Sequence, residues 1–322
     1  SHALAEAGVV QTLKQIALDA SPTTKERVAL CFRRLATEPL NRGLIIQQGG
    51  LTLLINMCSL DKTGEGDTRK GSGDTSTKGG LDEARHAMAK TLVTLNPSLL
   101  TDSQTMGCVP PLIAMCRDHE ATNLQQFEAR ALMALTNLGS LDEVKGRIVE
   151  EKGITSFQYL QFSDHMLVRR ASTEALCNLL PHIKMVEHLR QKETMKLWSA
   201  FCQLGEEDPP TAAAALGCVA MAIQDDQVAN SFMEVGGCES LVFALESEAP
   251  EIPNSADLIL RAAATCISLV EKPIHRSKLV SGGVPQALEA ARKHTDGLGA
   301  VGASASSACE DALKIFRETL SQ

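Results

Sequence analysis

The chain has 322 residues, a formal net charge of −8 and an aromatic content of only 3%. A β-rich fold would need more Tyr, Thr and Trp, and a surface for nucleic acid would need an excess of Lys and Arg. The longest apolar run, Ala212 to Ile223, is shorter than the roughly 20 residues of a bilayer-spanning helix and predicts a buried helix. We therefore expect an all-α protein with neither a nucleic-acid nor a membrane partner.

A glycine followed by an apolar helical segment recurs about every 42 residues, the length of an armadillo repeat. These segments begin near Gly8, Gly49, Gly107, Gly153, Gly236 and Gly282. Each leads through a polar loop to a longer helix and then to a short helix before the next glycine, which supplies a positive-φ stop. Three helices per unit predict a right-handed superhelical solenoid of about seven armadillo-type repeats. We expect it to be a single domain over residues 1–322.

An insertion interrupts the second unit between its second and third helices. Its sequence, "DKTGEGDTRKGSGDTSTKGG", is rich in Gly, Ser, Thr and charge and has no apolar anchor. Such a segment cannot bury enough apolar surface to order itself, so we predict a flexible loop over residues 61–80 that includes Asp61, Lys70 and Lys78. Two interpretations stay open: a tolerated surface insertion, or a mobile segment that contacts a partner or is modified.

An asparagine stands inside the apolar helical stretch "LMALTNLGS", although Asn disfavours helix interiors. The third helix of each unit lines the concave face of an armadillo array, and Asn137 lies near the end of such a helix. Asn178 occupies the same place one unit later. Three further polar residues align with them: Arg34, Thr94 and Ser268. Amides offer donors and an acceptor to an extended peptide backbone, so this ladder predicts peptide binding; the alternative is that both Asn side chains bond within their own helices.

Catalytic and metal-binding patterns are not found in the sequence. The ten cysteines form no CxxC pair, and the eight histidines have no zinc-ligand spacing. No serine elbow or dinucleotide fingerprint occurs. We therefore predict that the protein is not an enzyme and has no cofactor or metal. Cysteines scattered in apolar helical patterns indicate a reducing compartment, and we expect a cytoplasmic protein.

Two consecutive units carry a more specific pattern. The first contains "LMALTNL" (Leu132 to Leu138) and a short charged helix, and the second contains "RASTEALCN" (Arg170 to Asn178). In this order they resemble the UCS-domain myosin chaperones, in the armadillo-repeat domain that binds the client. The order and spacing fit that family from about Glu83 to Met233.

The resemblance implies a domain that binds the myosin motor domain and assists its folding or prevents its aggregation. Asn137 and Asn178 would then bond the backbone of a client segment, and Met133 would shield its apolar surface. The basic groove residues that would meet acidic client side chains are Arg34, Arg169 and Arg170. Thr94 and Glu174 complete the predicted groove. Ion pairs with neighbouring helices are the alternative role for Arg169 and Arg170.

Family members often carry a tetratricopeptide domain that recruits the ninety-kilodalton heat-shock chaperone. This chain has no such pattern, so that partner is implied only through a domain absent here. The alternative function is an armadillo-repeat adaptor or scaffold that binds an extended peptide of another partner. Importin-like grooves place a Trp one turn before the ladder Asn, whereas Met133 and Glu174 stand there. Catenin-type grooves are strongly basic, and the overall charge gives that reading no support.

Overall fold

A computed structural model describes residues 7–59, 75–117, 124–246, 255–295 and 299–320. Across these ranges the regular elements are 19 α-helices and one short 3-10 helix, with no strand. The all-α prediction is confirmed. The chain divides into two compact units at Asn178 and Leu179, and the expectation of a single domain stays a prediction.

Unit 1 contains the first ten α-helices. They are α1 (Val9–Ala17), α2 (Pro22–Leu35), α3 (Pro39–Gln47), α4 (Gly50–Ser59), α5 (Thr75–Leu92), α6 (Asp102–Met115), α7 (Leu124–Leu138), α8 (Asp142–Glu150), α9 (Gly153–Leu160) and α10 (Met166–Asn178), with the 3-10 helix Pro97–Leu99 before α6.

Unit 2 contains the other nine. They are α11 (Ile183–Arg190), α12 (Lys192–Cys202), α13 (Pro209–Ala222), α14 (Asp226–Glu234), α15 (Gly237–Leu245), α16 (Ser255–Val270), α17 (Pro273–Ser281), α18 (Val284–Thr295) and α19 (Gly299–Leu320).

Within each unit, helices of the same kind stack on one another. In unit 1 the third helices pack in the order α2, α5, α7 and α10, and in unit 2 in the order α13, α16 and α19. Second helices also pack on each other, α4 on α6 and α12 on α15. Each unit is thus a solenoid of the armadillo type, and seven helices in the described chain hold the third-helix place, as the repeat count predicted.

Apolar side chains fill the spaces between stacked repeats. Phe32, Met88 and Phe157 are fully buried in unit 1, and Trp198 and Phe232 in unit 2. The predicted buried helix of small apolar residues is α13, whose Ala-rich body is buried from Thr211 through Val219. Small side chains allow helices to approach closely, and close approach gives the dense packing that core stability requires.

The predicted glycine stops are confirmed before α1, α4 and α15, where Gly8, Gly49 and Gly236 have φ values of 85°, 77° and 99°. Before α9 the left-handed residue is instead Lys152, with φ 58°. The next residue is Gly153, and a side chain does not fit there because an added Cβ would come within 2.3 Å of Ile148 Cγ2.

The predicted helix start at Gly107 is wrong. Helix α6 begins earlier, because Thr101 and Gln104 form a capping box at its N-terminus. Gly107 therefore lies inside the helix, where an added Cβ would be 3.0 Å from Ile55 Cγ2 on α4. The glycine marks a close helix contact rather than a chain reversal.

The predicted end of the insertion loop, residue 80, is wrong. Helix α5 begins at Thr75, so residues 75–80 are helical and Lys78 lies within the helix. Gly80 is buried inside this helix, where an added Cβ would make an ordinary contact of 3.4 Å with Glu26 Cβ of α2. Asp61 and Lys70 lie outside the described residues.

Candidate functional site

Asn137 joins two consecutive repeats of unit 1. Its Nδ2 donates to the backbone oxygens of Leu92, at 2.8 Å, and Leu95, at 2.5 Å. These carbonyls lie at and just beyond the C-terminus of α5, where a helix leaves backbone acceptors without intrahelical partners. The half-buried amide of α7 therefore caps the third helix of the preceding repeat.

Asn178 repeats this arrangement one unit later. Its Nδ2 donates to the carbonyl oxygen of Thr136 near the end of α7, at 3.2 Å, and the side chain is exposed. The alternative of bonds within the same helix is thus replaced by bonds to the neighbouring repeat. The amide nitrogen of Asn137 makes two bonds to protein backbone, so a bound segment would have to compete for its N–H groups, whereas that of Asn178 makes one such bond.

The other aligned positions differ from one another. Arg34 is exposed in the last turn of α2. Thr94 lies in the turn after α5 rather than on the helix, and its Oγ1 accepts a hydrogen bond from Arg42 Nη1. In unit 2, Ser268 Oγ accepts from Gln224 Nε2 at 3.3 Å. Asn137 and Asn178 in unit 1 and Ser268 in unit 2 therefore link successive repeats, a role that the alignment alone did not indicate.

The two adjacent arginines of α10 contact different partners. Arg170 Nε contacts Glu174 Oε1 at 2.8 Å, an exposed pair one turn apart on the same helix. Half-buried Arg169 donates from Nη1 to the carbonyl of Ser163 at 2.9 Å, which holds the turn before the helix. The alternative of ion pairs with neighbouring helices does not hold for Arg170, which pairs with Glu174 on its own helix. Arg169 thus stabilises the turn before its own helix, and its role in a groove stays a prediction.

Met133 is an exposed apolar residue on α7. Its side chain is 47% exposed, and it lies on the same helical face as Arg130, three residues before, and Asn137, four residues after. Methionine is flexible and polarisable, so it adapts to varied apolar partners. This face of α7 combines an apolar contact with a cation.

A group of basic side chains was missed by the sequence reasoning. Four cations act electrostatically on one another or on His86: Arg33 on α2, Arg42 on α3, Lys90 on α5 and Arg130 on α7. Burial and the nearby cations Arg33, Arg130 and Lys90 lower the pKa of His86 to about 4, so this imidazole is neutral at physiological pH. We call Arg33, Arg42, Lys90 and Arg130 the basic cluster. The i, i+4 spacing of His86 and Lys90 on a third helix was the sequence signal that could have indicated the basic cluster.

An exposed apolar corner lies between α9 and α10. Tyr159, Phe162 and Leu167 are 63%, 57% and 60% exposed. Large apolar side chains that remain accessible in one short segment are typical of interaction surfaces. This corner adds a second apolar contact to the exposed surface of unit 1.

His, Cys, Asp and Glu side chains of the described ranges do not gather in groups of three or more that would hold a metal ion. Burial raises the pKa of the thiols of Cys108, Cys116 and Cys266 above the usual range, and that of Cys202 to about 12, so these thiols stay protonated and unreactive.

Across the described residues, no helix combines the length and apolar character needed to cross a membrane.

Sequence comparison relates the chain to a set of vertebrate proteins. It is 30% identical to protein unc-45 homolog B of Xenopus laevis over 216 residues, which is 66% of this chain and 21% of that protein. For the Homo sapiens protein of the same name the identity is 30% over 224 residues, covering 68% and 22%. The chain thus spans about a fifth of the length of these relatives. No protein-family model matches it.

Solved structures share the fold. UNC-45 from Drosophila melanogaster superimposes with a TM-score of 0.78 at 21% identity, over 99% of this chain and 38% of that one. The myosin chaperone UNC-45 from C. elegans, solved with a Hsp90 peptide, gives 0.73 at 23% identity over 96% and 32%. A designed armadillo repeat protein gives 0.60 at 15% identity over 83% and 99%. At these identities the structural likeness establishes the armadillo-type fold, whereas the sequence match establishes descent. The family resemblance predicted from the two repeat motifs is confirmed: the chain is homologous to part of the UNC-45 proteins.

Proposed function

We propose that this chain is the client-binding part of a myosin chaperone, which binds the myosin motor domain and assists its folding or prevents its aggregation. The observation that carries the proposal is the 30% identity over 216 residues with an UNC-45 protein. Solved UNC-45 structures are described as those of a myosin chaperone, and as revealing features critical for binding and folding muscle myosin. Because the chain spans about a fifth of its relatives, the proposal concerns binding of the client rather than the whole chaperone cycle.

We place the client on the third-helix face of unit 1, which comprises the outward side chains of α5, α7 and α10. Met133 offers apolar surface there, and Arg130 and Lys90 offer positive charge. A chaperone must accept segments that differ in sequence, and several weak contacts along a surface tolerate such variation. The amides of Asn137 and Asn178 support this face by clamping its helices together.

Hsp90 is proposed as a second partner of the complete chaperone. A peptide of Hsp90 was bound in the C. elegans UNC-45 structure, and this sequence has no tetratricopeptide pattern. We therefore assign Hsp90 recruitment to a region of UNC-45-type proteins other than the one matched here. A cytoplasmic, non-enzymatic role fits the ten free cysteines, which suit a reducing compartment.

The direct test is light scattering of a purified myosin motor domain during mild heating, with and without this protein. We expect near-stoichiometric protein to suppress aggregation of the motor domain and to leave citrate synthase, an unrelated client, unprotected. Equal protection of both clients would indicate a general holdase. Protection of neither would favour the adaptor or scaffold alternative and would overturn the proposed function.

Two matched variants locate the client on the protein. Met133→Glu places a charge on the third-helix face of unit 1, and Ile274→Glu places one at a 72% exposed apolar residue on α17, a first helix. We expect Met133→Glu to lower motor-domain protection severalfold and Ile274→Glu to leave it unchanged. Equal effects of the two substitutions would contradict this location. Unchanged circular dichroism of both variants is the folding control.

A further inference from the structure

Positive charge gathers on the third-helix side of unit 1, although the chain as a whole carries −8. Arg33, Lys90 and Arg130 come from the third helices of three consecutive repeats, and Arg42 comes from α3 between the first two. These four residues are the basic cluster defined above. Its extremes, Arg33 and Arg130, are 97 positions apart in the chain, so only the stacking of repeats brings the four residues together.

Hydrogen bonds hold the cluster in place. Lys90 Nζ donates to Thr37 Oγ1 at 2.7 Å, and Arg42 Nε donates to the carbonyl of Ala36 at 3.0 Å. The clamp of Asn137 on the end of α5 fixes α7, and hence Arg130, against the same helix. Cations that are already ordered lose little side-chain entropy when a ligand binds.

The positive charge is only partly compensated. Arg33 Nε contacts Glu83 Oε2 at 3.0 Å. Within the described part of the chain, no ion pair joins a carboxylate to Arg42, Lys90 or Arg130. Burial together with the cations Arg130, Arg33 and Arg42 lowers the pKa of Lys90, which is the behaviour of like charges held close together. An anion placed among them would relieve this repulsion.

We propose that the basic cluster is the docking site for an acidic segment of the client, whose Asp or Glu side chains pair with Lys90, Arg130 and Arg42. This inference rests on the proposed function and specifies the chemistry of the segment that binds. Arginine presents a planar fork that matches a carboxylate through two hydrogen bonds. A polyanionic nucleic acid fits less well, because Glu83, with Glu26 and Asp82 acting on it, stands at the edge of the cluster and would repel a continuous phosphate backbone.

The test measures fluorescence anisotropy of a labelled peptide of alternating Glu and Ser. A peptide of the same length with Lys in place of Glu, and a single-stranded oligonucleotide of equal charge, are the comparison ligands. Arg130→Glu reverses one charge of the cluster, and Lys314→Glu makes the same change at an exposed site on α19 of unit 2. We expect Arg130→Glu to weaken binding of the acidic peptide roughly tenfold and Lys314→Glu to leave it unchanged. Arg130→Gln, which only removes the charge, keeps the test valid if the reversal disturbs folding.

The outcomes separate this inference from the proposed function. Three results would each overturn the inference. They are no binding of the acidic peptide, an equal loss of peptide affinity in Arg130→Glu and Lys314→Glu, or tighter binding of the oligonucleotide than of the acidic peptide. The same variants are also run in the motor-domain aggregation assay. If wild-type protein protects the motor domain and Arg130→Glu protects it equally, the acidic docking site is wrong and the chaperone function stands. If wild-type protein gives no protection, the proposed function itself fails.

Discussion

Helices α7 in unit 1 and α13 in unit 2 hold the same third-helix place in their repeats, yet they present different surfaces. Helix α7 exposes Met133, with Arg130 and Asn137 half-exposed on the same face. Helix α13 is built largely of alanine, is buried through Val219, and exposes Met221 near its end. The same backbone arrangement thus carries a mixed polar and apolar surface in one unit and mainly a packing surface in the other.

The two units also differ in how the positive charges of their third helices are paired. In unit 2, Arg261 of α16 contacts Asp257 on its own helix at 3.0 Å. Its guanidinium also covers Gly217 of α13, where an added Cβ would come within 2.2 Å of Arg261 Nη1. In unit 1 the cations of the basic cluster come from separate helices, and burial together with Arg130, Arg33 and Arg42 lowers the pKa of Lys90. The two units therefore share a repeat architecture and differ in their outward side chains, and the following predictions test that contrast.

The largest expected effect on stability is that of Asn137→Ala. The substitution removes two hydrogen bonds and leaves the carbonyls of Leu92 and Leu95 at a half-buried site without this donor. We expect a loss of about 1–3 kcal/mol, measured as a lower melting temperature. Gln224→Ala in unit 2 is the control, because its exposed side chain makes a single 3.3 Å bond to Ser268, and it should change stability by no more than about 0.5 kcal/mol. Equal losses would show that the clamp of α7 on α5 is not a special feature of unit 1.

The next effect depends on pH and concerns Glu128 of α7. This side chain is 3% exposed, and burial raises its pKa from 4.5 to about 7. Between these values the folded state holds a proton that the unfolded state has lost, so stability falls as pH rises through this window. Above it the wild type carries a buried negative charge.

Glu128→Gln removes that charge. We expect it to raise the melting temperature by roughly 2–4 °C at about pH 8, the shift that about 1 kcal/mol gives in a domain of this size, and to have little effect at about pH 4. Glu310→Gln, at an exposed position of α19, is the control and should show no such pH dependence. A gain that is the same at both pH values would contradict the titration of Glu128.

The smallest effect is expected for the exposed intrahelical pairs, which occur in both units. Arg170→Ala in unit 1 breaks a pair of 2.8 Å, and Arg261→Ala in unit 2 breaks one of 3.0 Å. Exposed pairs one turn apart contribute roughly 0.3–0.5 kcal/mol, so both variants should melt within about a degree or two of wild type. A large loss for Arg261→Ala alone would show that its contact over Gly217 matters more than its ion pair.

The sequence was sufficient to predict the repeat and most helix positions, because the glycine stops and helical periodicity are local signals. It also marked Asn137 as unusual, since an amide inside an apolar helix has few favourable partners. The actual partners are 45 and 42 positions away in the chain. Only the stacking of α7 on α5 brings them into contact, so the prediction of a free groove amide missed the clamp.

The basic cluster was missed for a related reason. The net charge of −8 averages over the whole chain, whereas Arg33, Lys90 and Arg130 lie in different repeats and meet only in the folded unit. Gly107 and Gly80 were interpreted as a helix start and a loop end because glycine often has those roles. In the folded protein Gly107 allows a close contact with Ile55, and Gly80 lies within α5, which a local pattern cannot reveal.

The measurement that tests the central claim most directly is methionine oxidation footprinting of the protein with and without a myosin motor domain. Met133 and Met221 are 47% and 55% exposed and stand on third helices of the two units, so each reports on its own face. Exposed methionines oxidise to the sulfoxide, and a covering partner slows this reaction. The account predicts that the motor domain protects Met133 and leaves Met221 reactive. Protection of Met221 alone, or of neither residue while the motor domain is bound, would contradict it.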